Sequence, residues 1–131
     1  MIQKDKPAGE RMSERTRKIE SQLKEIVGVE VSELSDPRVH GLVTVTAVRV
    51  SPDLAHATVL YSVIDDSPEA EEDAKVGLQS AAGRIQATVG AQTRMRRTPR
   101  LRFEPDPMVE RTRSIENALR EVRDENRQRD N

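Results

Sequence analysis

The chain has 131 residues, of which 34% are hydrophobic and 34% charged, with a formal net charge of -1 and no cysteine. That length holds one domain plus tails around a modest core, and the lack of cysteine excludes disulfides and thiolate metal sites. Residues 1–10 carry no apolar run of signal-peptide length and no later stretch approaches the roughly 20 apolar residues of a membrane span, so a soluble, cytoplasmic protein is expected.

Residues 1–10 mix charges with Pro7 and Gly9 and read as a disordered lead-in to a domain over residues 11–107. Over residues 13–34, Ile19, Leu23, Ile26, Val27, Val31 and Leu34 recur three or four apart, the period of an amphipathic helix. Its outer face near the start carries Arg11, Arg15, Arg17 and Lys18, diluted by Glu14 and Glu20. Ser35-Asp36-Pro37-Arg38 stops it, because proline disfavours the helical conformation at Asp36. LVTVTAVRV, residues 42–50, is β-branched and alternates imperfectly, so it reads as a strand. Ser51-Pro52-Asp53-Leu54 supplies turn chemistry. Residues 55–63 form a second strand, with Ala57, Val59, Tyr61 and Val63 on one face and His56, Thr58, Leu60 and Ser62 on the other. So short a link predicts an antiparallel hairpin.

Ser67 and Pro68 form the start signal of the next helix, and Glu69, Glu71, Glu72 and Asp73 suit its dipole. Its buried stripe runs Ala74, Leu78, Ala82, Ile85, Val89. The small residues Ala81, Ala82 and Gly83 predict a kink that divides two helical halves sharing one core. Thr98-Pro99 ends the second half. Residues 101–104 form a third strand, with Leu101 and Phe103 on one side and Arg100 and Arg102 on the other. Residues 108–131 read as a short helix over 114–122, outside the core, fraying into a charged, disordered tail. The fold class is α+β, with helices packed on a three-stranded sheet.

Charge is sharply segregated. Between Arg84 and Arg102 every charge is positive (Arg84, Arg94, Arg96, Arg97, Arg100 and Arg102), whereas Asp65, Asp66, Glu69, Glu71, Glu72 and Asp73 form a wholly negative stretch. An anionic polymer senses such a basic face whatever the net charge. These six arginines, with Arg15 and Lys18, are the candidate phosphate contacts. Arg84 follows Gly83 at what reads as a helix start, where free N–H groups favour an anion. Arg94 and Arg97 lie three apart on a helix and can pair. Neutralising about five phosphates would make a fourfold rise in salt cost on the order of two to three decades in affinity.

Other residues read more simply. Ala81 and Gly83 are small so that the helix can sit close to the sheet, and Tyr61 and Phe103 are core residues. His40 and His56 have no metal-site spacing, Asp65 and Asp66 are a solvated, cap-supporting pair, and Asp36 and Asp53 are turn formers. No nucleophile motif, phosphate loop or dinucleotide fingerprint is present, so no enzyme, cofactor or metal is expected.

The order helix, strand, strand, helix, kink, helix, strand resembles the type II KH topology. Several stretches resemble one KH-related family, ribosome-binding factor A: Glu33-Leu34-Ser35-Asp36-Pro37-Arg38, then Val43-Thr44-Val45-Thr46-Ala47-Val48 followed by Ser51-Pro52-Asp53-Leu54, then Ala81-Ala82-Gly83, and Arg97-Thr98-Pro99-Arg100-Leu101-Arg102-Phe103 with Asp106. The resemblance implies a monomeric bacterial assembly factor that binds free small (30S) ribosomal subunits. Such a factor assists late maturation of 16S rRNA, near a helical region at its 5′ end, leaves before translation and is linked to cold adaptation. A KH domain clamps single strands with a Gly-x-x-Gly loop. Ala81-Ala82-Gly83 leaves no room for that loop, so a basic face reading the shape and phosphates of folded rRNA is expected instead. Two alternatives stay open: a general single-strand-binding KH module, and a protein-interaction adaptor using the acidic helix start and the charged tail.

Overall fold

The computed structural model of the chain describes residues 8–39, 43–65 and 67–130. Expectations placed on residues 1–7, the Arg11 side chain, His40, Leu42 and Asp66 lie outside the described residues. The first helix, α1 (Ala8–Ser32), buries Leu23, Val27 and Val31 and packs Ile19 and Ile26 at the core margin; it ends two residues before the expected 34, and Leu34 packs on the core from just beyond it. It includes the last three residues of the expected lead-in. After it, the Asp36 carboxylate accepts the Arg38 N–H at 2.9 Å, an Asx turn that redirects the chain.

Three strands follow, β1 (Val43–Val50), β2 (His56–Val63) and β3 (Arg100–Pro105), with β2 central. β1 and β2 form the expected antiparallel hairpin. β2 and β3 are parallel, which requires a crossover, supplied by α2 (Pro68–Gln92). The imperfect alternation of β1 has a cause. Val45 pairs with Tyr61 but Ala47 pairs with Leu60, so Thr46 is an extra, bulged residue. The bulge resets the phase, and Val45 and Val48, three apart, both reach the core.

The core lies between one sheet face and the two helices. It contains Tyr61 and Phe103, the only aromatic residues of the chain, as expected. The outer strands are also tied to the helices at their free edges. Glu20 of α1 accepts the Val50 N–H at 2.8 Å, and Gln86 of α2 accepts the Leu101 N–H at 3.3 Å. Unpaired edge groups invite foreign strands, and these side chains occupy two of them.

α2 starts as predicted: Ser67 Oγ accepts the Ala70 N–H at 3.2 Å and Pro68 opens the first turn. Ala74, Leu78, Ala82, Ile85 and Val89 are all buried. The division at Ala81, Ala82 and Gly83 is corrected: α2 is one unbroken helix of 25 residues. The buried stripe keeps its phase through this point. A glycine penalty of about 1 kcal/mol is small against the burial on either side. Ala81 and Ala82 are buried, but a Cβ at Gly83 would meet nothing within 4 Å. The close approach is at Gly77, where a Cβ would lie 2.5 Å from Val39 Cγ2.

α2 also ends sooner than expected, at Gln92, where the Thr93 N–H bonds to the Val89 carbonyl at 3.0 Å. The last helix, α3 (Pro107–Asp130), is longer than the expected 114–122 and runs to Asp130. Asp106 Oδ1 accepts the Met108 N–H at 2.9 Å, Glu110 lies in the first turn, and Arg127 and Arg129 lie in the last, where the dipole favours them. None of its described residues belongs to the core, as expected. Arg113 fastens it to the domain by donating to Glu71 Oε1 at 3.0 Å and to the Val63 carbonyl.

Candidate nucleic-acid interface

Five of the candidate cations converge. Arg15 and Lys18, three apart on α1, face Arg94, Arg96 and Arg97 of the loop after α2 across a groove of about 920 Å³. Asp53, Leu54 and Ala55 of the β1–β2 turn form its floor. Asp53, the one carboxylate among the described lining residues, is held below the usual range by the Ser51 hydroxyl at 2.6 Å and the Ala55 N–H at 3.1 Å. It stays ionised, yet five positive groups outweigh it. The neighbouring Leu54 has a φ of 61°, a left-handed backbone that costs a leucine about 1 kcal/mol or more. No feature of the sequence marked Leu54 as part of this wall.

Arg94, Arg96 and Arg97 are loop residues, so the helical pairing expected of Arg94 and Arg97 is corrected. The loop is set by its anchors. Pro99 is fully buried, and a Cβ at Gly90 would lie 2.7 Å from Thr98 Oγ1, so the chain folds back closely over the last turn of α2. The three arginines are carried on that fold-back.

Arg100 and Arg102 lie on the sheet face turned away from the core, in register with His56 and Thr58. With Gln79 they border a hollow of about 460 Å³ that begins at His56, one residue beyond the floor of the first groove. Arg100 and Arg102 thus stand at a separate hollow, whose described lining shares no residue with that of the groove. Arg102 Nε also contacts Glu104 Oε1 at 2.9 Å, but both side chains are exposed, and such a pair contributes little.

Arg84 is apart from the groove and the hollow. It is exposed in the interior of α2, beside Asp36, Ser80 and Ala81, where backbone N–H groups are spent on the helix. The helix-start anion site expected of it is corrected. Its neighbour Asp36 is drawn down to about 2, first by hydrogen bonds from Arg38 and last by the charge of Arg84.

Burial of Tyr61 and Phe103 removes both as stacking platforms. Stacking is the usual means of gripping single-stranded bases. What remains is a set of guanidinium and ammonium groups on fixed elements, suited to phosphates and to the shape of a folded nucleic acid.

Comparison with known proteins places the chain among relatives. A family model described as ribosome-binding factor A matches residues 15–119. Ribosome-binding factor A of Rubrobacter xylanophilus is 69% identical over 108 residues, covering 82% of this chain and 87% of that protein. The crystal structure of ribosome-binding factor A from Thermus thermophilus is 38% identical with a TM-score of 0.62, covering 69% of this chain and 93% of that one. A homology model of the Thermus thermophilus factor, fitted into a cryo-EM map of its 30S complex, is 36% identical with a TM-score of 0.54 and covers 65% of this chain and 88% of that one.

Proposed function

The chain belongs to the ribosome-binding factor A family, and from that premise we propose that it binds free small ribosomal subunits in the cytoplasm and assists late maturation of their 16S rRNA, leaving before translation. The observation that carries this reading is the convergence of Arg15 and Lys18 with Arg94, Arg96 and Arg97, brought from distant parts of the sequence to one groove. Docking is non-enzymatic and electrostatic. The cations neutralise rRNA phosphates, and the rigid walls select the site by shape. A monomer suffices, because all five groups come from one chain. The helical region near the 5′ end of 16S rRNA is the target that the family resemblance implies. The single-strand KH reading has less support, since neither aromatic residue is available for stacking. The adaptor reading also has less, because Glu71 of the acidic segment is already engaged by Arg113.

Co-sedimentation of the full chain with free small subunits, large subunits and assembled ribosomes, over a salt series, tests the proposal. The expected result is salt-sensitive binding to small subunits alone, weakened when Arg94, Arg96 and Arg97 are replaced by alanine. Equal binding to all particles would favour a general nucleic-acid module, and binding unaffected by the substitutions would remove the groove from the interface.

A further inference from the structure

The opposite flank of α1 carries a second basic groove that the sequence pattern did not single out. Arg17 and Lys24, two turns apart on α1, line it together with Arg49 of β1, over the bulged stretch at Thr46. Its volume is about 380 Å³. All three cationic side chains are exposed, and none forms an ion pair with a described residue. Among the described residues, Glu20 and Asp106 face them: Glu20 accepts the Val50 N–H, and Asp106, which feels the charge of Arg49, accepts from Thr46 and the start of α3. Hydrogen bonds leave a carboxylate its charge, so the three cations exceed these two carboxylates by one.

Helical geometry separates this groove from the first. At about 100° per residue, Arg15, Lys18 and Gln22 fall on one flank of α1, and Arg17, Ser21 and Lys24 are displaced toward the other. Between them runs an exposed ridge with Glu14 and Glu25, both acidic. The flank centres lie roughly 120° apart around α1, and the two acidic positions between them disfavour a single phosphate strand that follows both grooves. The two flanks therefore present separate tracks for phosphate.

We propose that the Arg17, Lys24 and Arg49 groove is a second RNA-contacting surface, holding an rRNA segment distinct from the one seated against Arg94, Arg96 and Arg97. The proposal rests on the RNA-binding reading above and deepens it: α1 becomes a spacer that fixes two RNA segments at a set separation. Such a clamp suits a factor that acts on folded RNA.

The test uses the full chain and free small subunits. Replacing Arg17, Lys24 and Arg49 together by glutamine should lower affinity roughly tenfold or more and reduce the slope of log affinity against log salt by about 2 to 3, one unit per lost phosphate contact. Circular dichroism and the melting temperature should be unchanged, since all three side chains are exposed. A photoreactive residue at Ser21 and, separately, at the adjacent Gln22 should cross-link to two non-contiguous rRNA segments. Affinity and slope equal to the unaltered chain, or cross-links from Ser21 and Gln22 to one segment, would overturn the second surface while leaving the first groove and the function in place. Failure of the unaltered chain to bind small subunits would instead sink the ribosomal reading, and this proposal with it.

Discussion

The Thr46 hydroxyl donates to Asp106 Oδ2 at 2.7 Å, joining residues that are 60 apart in sequence and lie on either side of the central strand. Thr46 is the bulged residue of β1, and Asp106 follows β3, with its N–H on the Tyr61 carbonyl at 2.8 Å. The other carboxylate oxygen caps α3 through the Met108 N–H. One side chain thus holds the outer strands together over β2 and starts the last helix. Asp106→Ala should cost about 1–2 kcal/mol, the range of a lost cap and hydrogen bond. Asp106→Asn should cost less, because its amide keeps one oxygen for one of the two donors. The Thr46 hydrogen bond, followed by the Met108 N–H, holds the Asp106 pKa below its ordinary 3.8. A depressed carboxylate pKa contributes stability above 3.8 that is lost as pH falls through the folded value. In urea titrations the gap between the native chain and Asp106→Asn should therefore narrow as the medium is acidified below 3.8; a gap that stays constant would show that the charge does not matter.

Two glycines of one helix should respond oppositely to the same substitution. Gly83→Ala adds a methyl group to open space inside α2 and should stabilise by roughly 0.5–1 kcal/mol, the propensity difference in a helix interior. Gly77→Ala places its methyl 2.5 Å from Val39 Cγ2 and 3.3 Å from Arg38 Cβ. The loop bearing Asp36 and Arg38 must move, and overpacking of that kind typically costs about 1–3 kcal/mol, more than the propensity gain. Thermal melts of the two variants decide the matter: a loss of stability at Gly83 would mean that the glycine is needed for a bend in α2.

These glycines also mark where the sequence ceases to be readable. Elements written in local chemistry were legible: the apolar period of α1, the Ser67-Pro68 start, the stripe from Ala74 to Val89, and the alternation of β2. What depends on partners distant in sequence was not. Gly77 and Gly83 look alike until Val39 is placed beside one of them. No helix breaker stands between Gln92 and Thr98, so the end of α2 follows only from the close approach of Thr98 to Gly90 and the burial of Pro99. The cations were visible as residues, but their grouping was not. Arg15 and Lys18 join Arg94, Arg96 and Arg97 only through the fold, and Arg84, next in the same basic run, is left elsewhere.

That separation gives a discriminating pair of variants. Arg84→Ala should leave subunit affinity and its salt slope nearly unchanged, because Arg84 is outside the groove and partly answers Asp36. Replacing Arg94, Arg96 and Arg97 by alanine should reduce the slope by roughly 2 to 3. A loss with Arg84→Ala comparable to that of the loop variant would extend the interface along the exposed side of α2.

The Tyr61 hydroxyl is buried and has no hydrogen-bond partner among the described residues. Burial, aided by the charges of Glu110, Glu71 and Glu72, pushes its pKa from 10.0 up to about 12. A buried donor without a partner contributes its desolvation cost and no compensating bond. Tyr61→Phe keeps the ring in the core and should be neutral or stabilising by about 1 kcal/mol near neutral pH. The alkaline limb carries the opposite test of the same contact. A raised pKa means that the folded state holds the proton more tightly, so stability is fully present below pH 10 and is lost as pH rises toward 12. The native chain should then lose on the order of 2 kcal/mol relative to Tyr61→Phe across that window. Comparing the two chains cancels the titration of lysines common to both. A difference that does not grow above pH 10 would mean that the hydroxyl reaches solvent when it ionises, and that the joint between β2 and the start of α3 opens more readily than its packing implies.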